Sequence, residues 1–167
     1  RLSEPAYDGD WDLIGFTGMS CEMPHVYQMA AEFRRRGKTV AIGGHHASAL
    51  PEEVAKHADI VVVGEAEGLW QRILFELENG GAKRTIYQNE GLIEMRNMAI
   101  PRRGLLNRDM YVVPTTIQAT RGCPFDCDYC AVTKFFGRTY RCRPLEEVVA
   151  EIRGEKDKQL MFFDDNL

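Results

Sequence analysis

Three short apolar runs, spaced by helix-like stretches, govern what the first part of this chain can become. Leu13-Ile14-Gly15-Phe16, Val40-Ala41-Ile42 and Ile60-Val61-Val62-Val63 are apolar without alternation, as strands covered on both faces must be. Between the first two, Met23 to Arg36 places Val26, Met29, Ala30 and Phe33 on one helical face, with Pro24 suited to the first turn and Gly37 to the stop. Pro51 to His57 reads as a second helix. Leu69 to Glu78 reads as a third, with Leu69, Ile73, Leu74 and Leu77 facing a core before Gly80-Gly81. This rhythm predicts an α/β fold, a partial Rossmann-like (flavodoxin-like) parallel sheet with helices on both faces and ligands at the carboxyl ends of its strands.

Those ends carry small and polar residues. The first strand runs into Thr17-Gly18, the second into Gly43-Gly44-His45-His46, and the third into Gly64-Glu65-Ala66-Glu67. Glycines let another group pass close to the backbone, although a Gly-Gly pair also serves any turn and an acidic pair also caps a helix. His45 and His46 suit either a solvated loop or a ligand contact.

Further along, Cys123-Pro124-Phe125-Asp126-Cys127-Asp128-Tyr129-Cys130 has the spacing C-x3-C-x2-C. Three thiolates hold a four-iron cluster with one iron left open, whereas ferredoxin spacing recruits a further cysteine and closes the site. An open position is the mark of a catalytic metal site rather than a structural one. Thr116 to Ala119 reads as a strand leading into the loop, where Gly122 permits a tight turn and Tyr129 offers a flat face to a purine. A zinc site would want paired Cys or His spacing, and a disulfide framework a short secreted chain with an even cysteine count. Cys142 could supply a fourth ligand, or like Cys21 be a small apolar residue.

The cysteine run resembles the motif of the radical S-adenosylmethionine (SAM) superfamily, on the loop after the first strand of a partial TIM barrel. The resemblance implies that Cys123, Cys127 and Cys130 hold a 4Fe-4S cluster whose open iron chelates SAM. One electron would then cleave SAM to a 5'-deoxyadenosyl radical. It also implies SAM contacts from Tyr129, Arg138, and from Asp164 and Asp165 at the end of a second barrel strand, Leu160 to Phe163. The preceding sheet resembles the cobalamin (B12)-binding domain found ahead of many radical SAM barrels. That implies a corrin site at Thr17, Gly18, Gly43, Gly44, His45, Gly64 and Glu65. None of His25, His45, His46 or His57 stands in the Asp-x-His-x-x-Gly pattern that supplies a lower cobalt ligand in cobalamin-dependent mutases. The function implied is a cobalamin-binding radical SAM enzyme, most often a methyltransferase acting on an unactivated carbon. Cyclases, oxidoreductases and methylthiotransferases share the architecture, though the last need three further cysteines. A non-catalytic iron-sulfur or zinc module, closed by Cys142, is the alternative from another class.

Expected domains are the C-terminal part of a cobalamin-binding-like domain over 1–86, a linker over 87–113, and the N-terminal part of a radical SAM barrel over 114–167, with both ends cut. Leu145, Val148, Val149 and Ile152 give a helix over Pro144 to Arg153 its apolar face, and Arg34-Arg35-Arg36 and Arg102-Arg103 read as solvated. With 44% hydrophobic residues and a net charge of −4, the 167-residue chain has no electrostatic footprint for nucleic acid. Five cysteines without a signal peptide or a membrane-length apolar run point to a reducing, cytoplasmic setting. Expected partners are a small-molecule or lipid substrate and a reductant such as flavodoxin or ferredoxin.

Overall fold

Each of the three apolar runs is a strand, and all pair in parallel. The computed structural model describes residues 5–82 and 84–166. The chain divides into two units, Arg1–Leu92 and Ile93–Leu167.

In the first unit the order is β1 (Leu13–Thr17), α1 (Met23–Arg35), β2 (Thr39–Gly43), α2 (His45–Ala49), α3 (Pro51–Val54), β3 (Ile60–Val63), α4 (Leu69–Glu78) and β4 (Ile86–Gln88), and the sheet runs β1-β2-β3-β4. Odd and even strand positions point to opposite faces. On one face Val40, Ile42, Val61 and Val63 pack with Met23, Val26, Ala30 and Phe33 of α1. On the other, Ala41, Ile60, Val62 and Tyr87 pack with Leu69 and Ile73 of α4. Full burial of each valine, isoleucine, leucine, methionine or phenylalanine among them stabilises by about 1.5–3 kcal/mol. Leu74 departs from expectation and is largely exposed, because α4 presents only one narrow stripe to the sheet.

Two elements were not foreseen. α2 begins directly after Gly44, where a loop was expected. β4 straddles the expected boundary between domain and linker, and its Tyr87 is buried with the hydroxyl donating to Glu76 of α4. Arg72 donates to the same carboxylate at 3.0 Å, so the buried Glu76 is paired.

The second unit contains β5 (Thr116–Ile117), β6 (Thr120–Arg121), α5 (Val132–Phe136), β7 (Arg141–Cys142), α6 (Leu145–Gly154) and β8 (Met161–Phe162). β5 pairs with β8 in parallel across α6, and β6 pairs with β7 antiparallel. The strand expected over 116–119 thus stops at Ile117: Ala119 N–H donates to the Asp164 carboxylate at 2.9 Å, as does Thr120 N–H, instead of continuing the β5 ladder, and β6 begins only at Thr120.

Residues 93–113 belong to this unit. Arg103 is buried, not solvated: its guanidinium donates to Glu151 at 2.6 Å, to Glu155 at 2.7 Å and to the carbonyl of Thr116. Arg143 donates to the other oxygen of Glu151 at 2.6 Å and to the carbonyl of Gln118 at 2.9 Å. The inner side of α6 is therefore Val148 plus a carboxylate, while Leu145 is exposed.

Burial raises the Glu151 carboxyl, but the bonds from Arg103 and Arg143 outweigh it and hold the group below the ordinary carboxylate range. The hydroxyl of Thr115, and then Arg108, likewise lower Asp157. A depressed carboxylate contributes stability above its unfolded value and loses it as pH falls through the folded one. Amide exchange at Ile117 and Val148, corrected for intrinsic rates, should therefore lose protection between pH 6 and pH 3 more than at Ile42 in the first unit. Equal losses would show that the network is not what acid attacks.

Candidate functional site

At the carboxyl ends of β1, β2 and β3 the first unit has a cavity of about 240 Å³ that opens to solvent. The register explains why it is there. Gly15 lies opposite Ala41 and Thr17 opposite Gly43, which brings minimal side chains together on one face. Trp70 and Ala66 form a wall. Gly44 adopts φ +92°, and a Cβ on it would lie 2.4 Å from Thr17 Oγ1, so no other residue fits that turn. Gly15 is different: a Cβ there would meet nothing within 4 Å. A glycine inside a strand with open space in front of it marks a place where another group can approach the backbone. Gly15 was not singled out from the sequence, although its position inside an apolar run was the available signal.

Of the residues expected here, Thr17, Gly43, Gly44 and Gly64 line the cavity, whereas Gly18, His45 and Glu65 do not. Gly18 sits over Glu22 and Met23. His45 is exposed, and Glu65 is buried, its carbonyl accepting from Asn89 Nδ2 at 2.9 Å. Asn89 also donates to the carbonyl of Glu67 at 3.2 Å, a clamp from the end of β4 that the sequence did not reveal.

His46 is not the solvated loop imidazole that was one expectation. It is buried, with Nδ1 2.9 Å from Ser20 Oγ and Nε2 3.3 Å from the Tyr27 hydroxyl. Tyr27 donates to Glu53 at 2.9 Å and stacks on His57 with ring centroids 3.9 Å apart. Burial and then the Glu53 carboxylate push the Tyr27 hydroxyl up to about 12, and Tyr27 and His46 hold Glu53 below its ordinary value. This network ties the loop after β1 to α2.

In the second unit the cysteine loop is anchored by its backbone. Gly122 has φ +87° and a Cβ on it would lie 2.5 Å from the carbonyl of Thr139, so glycine is required at the head of the loop. Its N–H donates to Asp165 at 2.8 Å. Asp164 accepts from Ala119 N–H, Thr120 N–H and, at 2.7 Å, the Thr120 hydroxyl. The two aspartates expected as ligand contacts thus hold the chain entering the loop, although Asp164 Oδ2 is buried without a hydrogen-bond partner among the described residues. Arg138 Nε donates to the carbonyl of Pro124 at 3.0 Å and braces the loop from outside. Cys123 and Cys130 are half-buried, Cys127 is exposed, and all five cysteines are free thiols. Among the described residues no group of Cys, His, Asp or Glu is gathered into a metal-binding geometry. Tyr129 is 92% exposed, and Cys142, across the β6–β7 pair from Thr120, is exposed as well. The donor set of three free thiols on one short loop fits an iron-sulfur cluster. Among the described residues no helix is long and apolar enough to cross a membrane.

The B12 binding domain family matches residues 1–74. Bacteriochlorophyllide d C-8(2)-methyltransferase of Chlorobaculum tepidum is 38% identical over 140 residues, covering 81% of this chain and 31% of that protein. The C-12(1)-methyltransferase of the same organism is 28% identical over 167 residues, covering 94% of this chain and 36% of that protein. The chain thus spans about a third of the length of the curated relatives it matches. Among solved structures, the radical S-adenosylmethionine methyltransferase TsrM from Kitasatospora setae, with cobalamin and a [4Fe-4S] cluster bound, superposes with a TM-score of 0.70 at 18% identity, covering 92% of this chain and 38% of that one. At that identity the likeness is one of fold. The parallel sheet, the glycine-lined cavity at its strand ends and the family match agree: residues 1–74 match the B12 binding domain family, and the chain shares its fold with TsrM.

Proposed function

We propose that the chain is the cobalamin-binding and cluster-bearing part of a radical SAM methyltransferase acting on an unactivated carbon. The observation that carries this is the cavity at Gly15, Gly43 and Gly44, within the residues matched by the B12 binding domain family. The bare backbone of those glycines would admit the narrow tail of cobalamin, with Thr17 offering a hydroxyl and Trp70 a flat wall. Cobalamin, when bound, supplies a carrier for the methyl group.

In the second unit Cys123, Cys127 and Cys130 would hold a 4Fe-4S cluster, and β5-α6-β8 would be the opening of a partial barrel. The bound SAM ammonium would find a carboxylate at this pair, where Asp164 Oδ2 is buried with no hydrogen-bond partner among the described residues. Tyr129 has its ring exposed and able to stack on an adenine, and Arg138 keeps the loop in place, with its guanidinium 3.8 Å from the Asp126 carboxylate. The exposure of Cys127 leaves that side of the loop open to a reductant such as flavodoxin or ferredoxin. The two curated relatives above, both named as methyltransferases, support the reaction type.

Anaerobic reconstitution with iron and sulfide tests the cluster reading. The chain should take up about four irons and change its absorption when SAM is added, because one iron is open. Uptake of zinc instead, or a cluster indifferent to SAM that is lost in Cys142→Ala, would replace this reading with a closed metal-binding module.

A further inference from the structure

One hydroxyl stands between the two glycine turns that flank the cavity. Ser48, on α2, accepts the Gly64 N–H at 2.8 Å and donates to the carbonyl of Gly44 at 2.8 Å. The bond to Gly44, four residues back, is a common habit of serine in helices. The bond from Gly64 is not local: it reaches across sixteen positions to the other turn.

Its importance follows from where the sheet ends. The paired register between β2 and β3 covers Ala41 with Ile60 and Ile42 with Val61, and stops there. Beyond Ile42 the two strands run on to Gly44 and Gly64 without ladder pairs. Both glycines have positive φ, +92° and +75°, which turns their backbone groups out of the ladder direction. The half-buried Ser48 hydroxyl bridges the gap by donating one hydrogen bond and accepting another.

We propose that Ser48 is a positioning residue of the cofactor slot. Its hydroxyl fixes the separation between the turn after β2 and the turn after β3, and so holds the cavity at the width its ligand requires. The inference rests on the cobalamin reading of that cavity. Asn89 performs the matching task on the far side, holding residues 65 and 67 from β4.

The test uses the whole chain, titrated with hydroxocobalamin and followed by visible absorption, as wild type, Ser48→Ala and Ser48→Thr. Loss of a bridging bond is worth roughly 1 kcal/mol or somewhat more, so Ser48→Ala should weaken binding about tenfold, and Ser48→Thr should restore it to within about twofold. Asn79→Ala, which removes a remote side-chain bond to the carbonyl of Phe75, serves as the control and should leave the affinity unchanged. Amide exchange reads the clasp without any ligand: Gly64 N–H should exchange faster in Ser48→Ala than in wild type or Ser48→Thr. Unchanged exchange at Gly64, or equal cobalamin affinity in Ser48→Ala and wild type, would overturn the clasp. A wild-type chain that takes up no cobalamin while Gly64 exchange still responds would overturn the reading of the cavity and, with it, the role of Ser48 there.

Discussion

Glu151→Ala should unfold the second unit while leaving the first intact. The substitution leaves the buried Arg143 with no carboxylate and the buried Arg103 with Glu155 alone, and breaking a buried pair from one side costs about 3–5 kcal/mol. Against a total of about 5–15 kcal/mol for a whole domain, that is a large share. Both tryptophans, Trp11 and Trp70, lie in the first unit. Urea unfolding followed by tryptophan fluorescence should therefore keep its midpoint, while far-ultraviolet circular dichroism should show an early transition. Replacing all three charges by apolar residues of similar volume should largely restore that transition, since an apolar core is often as stable as a buried ionic one. A midpoint for Glu151→Ala within experimental error of wild type by both probes would mean that the network does not hold this unit together.

Gly15→Val should separate binding from folding in the opposite sense. The residue is in the middle of β1, where valine is a better strand former than glycine, and nothing lies within 4 Å of its would-be Cβ. Stability should therefore be unchanged or slightly raised. The two added methyl groups enter the cavity, so the affinity for cobalamin should fall by about 100-fold or more, as overpacking a filled site costs a few kcal/mol. Gly44 cannot make the same separation, because its positive φ and the nearby Thr17 hydroxyl strain any replacement before a ligand is considered. An unaltered affinity in a well-folded Gly15→Val would place the ligand somewhere other than this face of the sheet.

The first three strands and the longer helices were legible because each buries a continuous apolar run or a single helical face. α4 spans Leu69–Glu78 as the spacing predicts. β4 was not legible: it has three residues, and the group that settles Tyr87 in the core is Glu76, on another element. The same difficulty hid Arg103. Read along the chain, Arg102-Arg103 looks like a solvated pair, since its partner Glu151 is 48 positions away, and a charge is buried only where such a partner exists. His46 was ambiguous for the same reason, being settled by Ser20 and Tyr27 from other elements. At the site, residue types were easier to read than their roles. Thr17 and Gly43 come together because the strand register aligns them, and Gly44 and Gly64 because Ser48 bridges their turns. Asp164 and Asp165, by contrast, each commit one oxygen to backbone N–H groups entering the cysteine loop, a use that no local pattern announces. Ser48 and Asn89 were invisible because both act on the backbone of turns far from them in sequence.

The central claim is that the glycine-lined cavity at the ends of β1 to β3 is a cobalamin site. The most direct test is to mix the chain with excess hydroxocobalamin, separate it by gel filtration and count corrin per chain from the visible spectrum of the protein peak. About one corrin per wild-type chain, with little or none on Gly15→Val, is the expected result. A wild-type peak that is folded and elutes without corrin would contradict it.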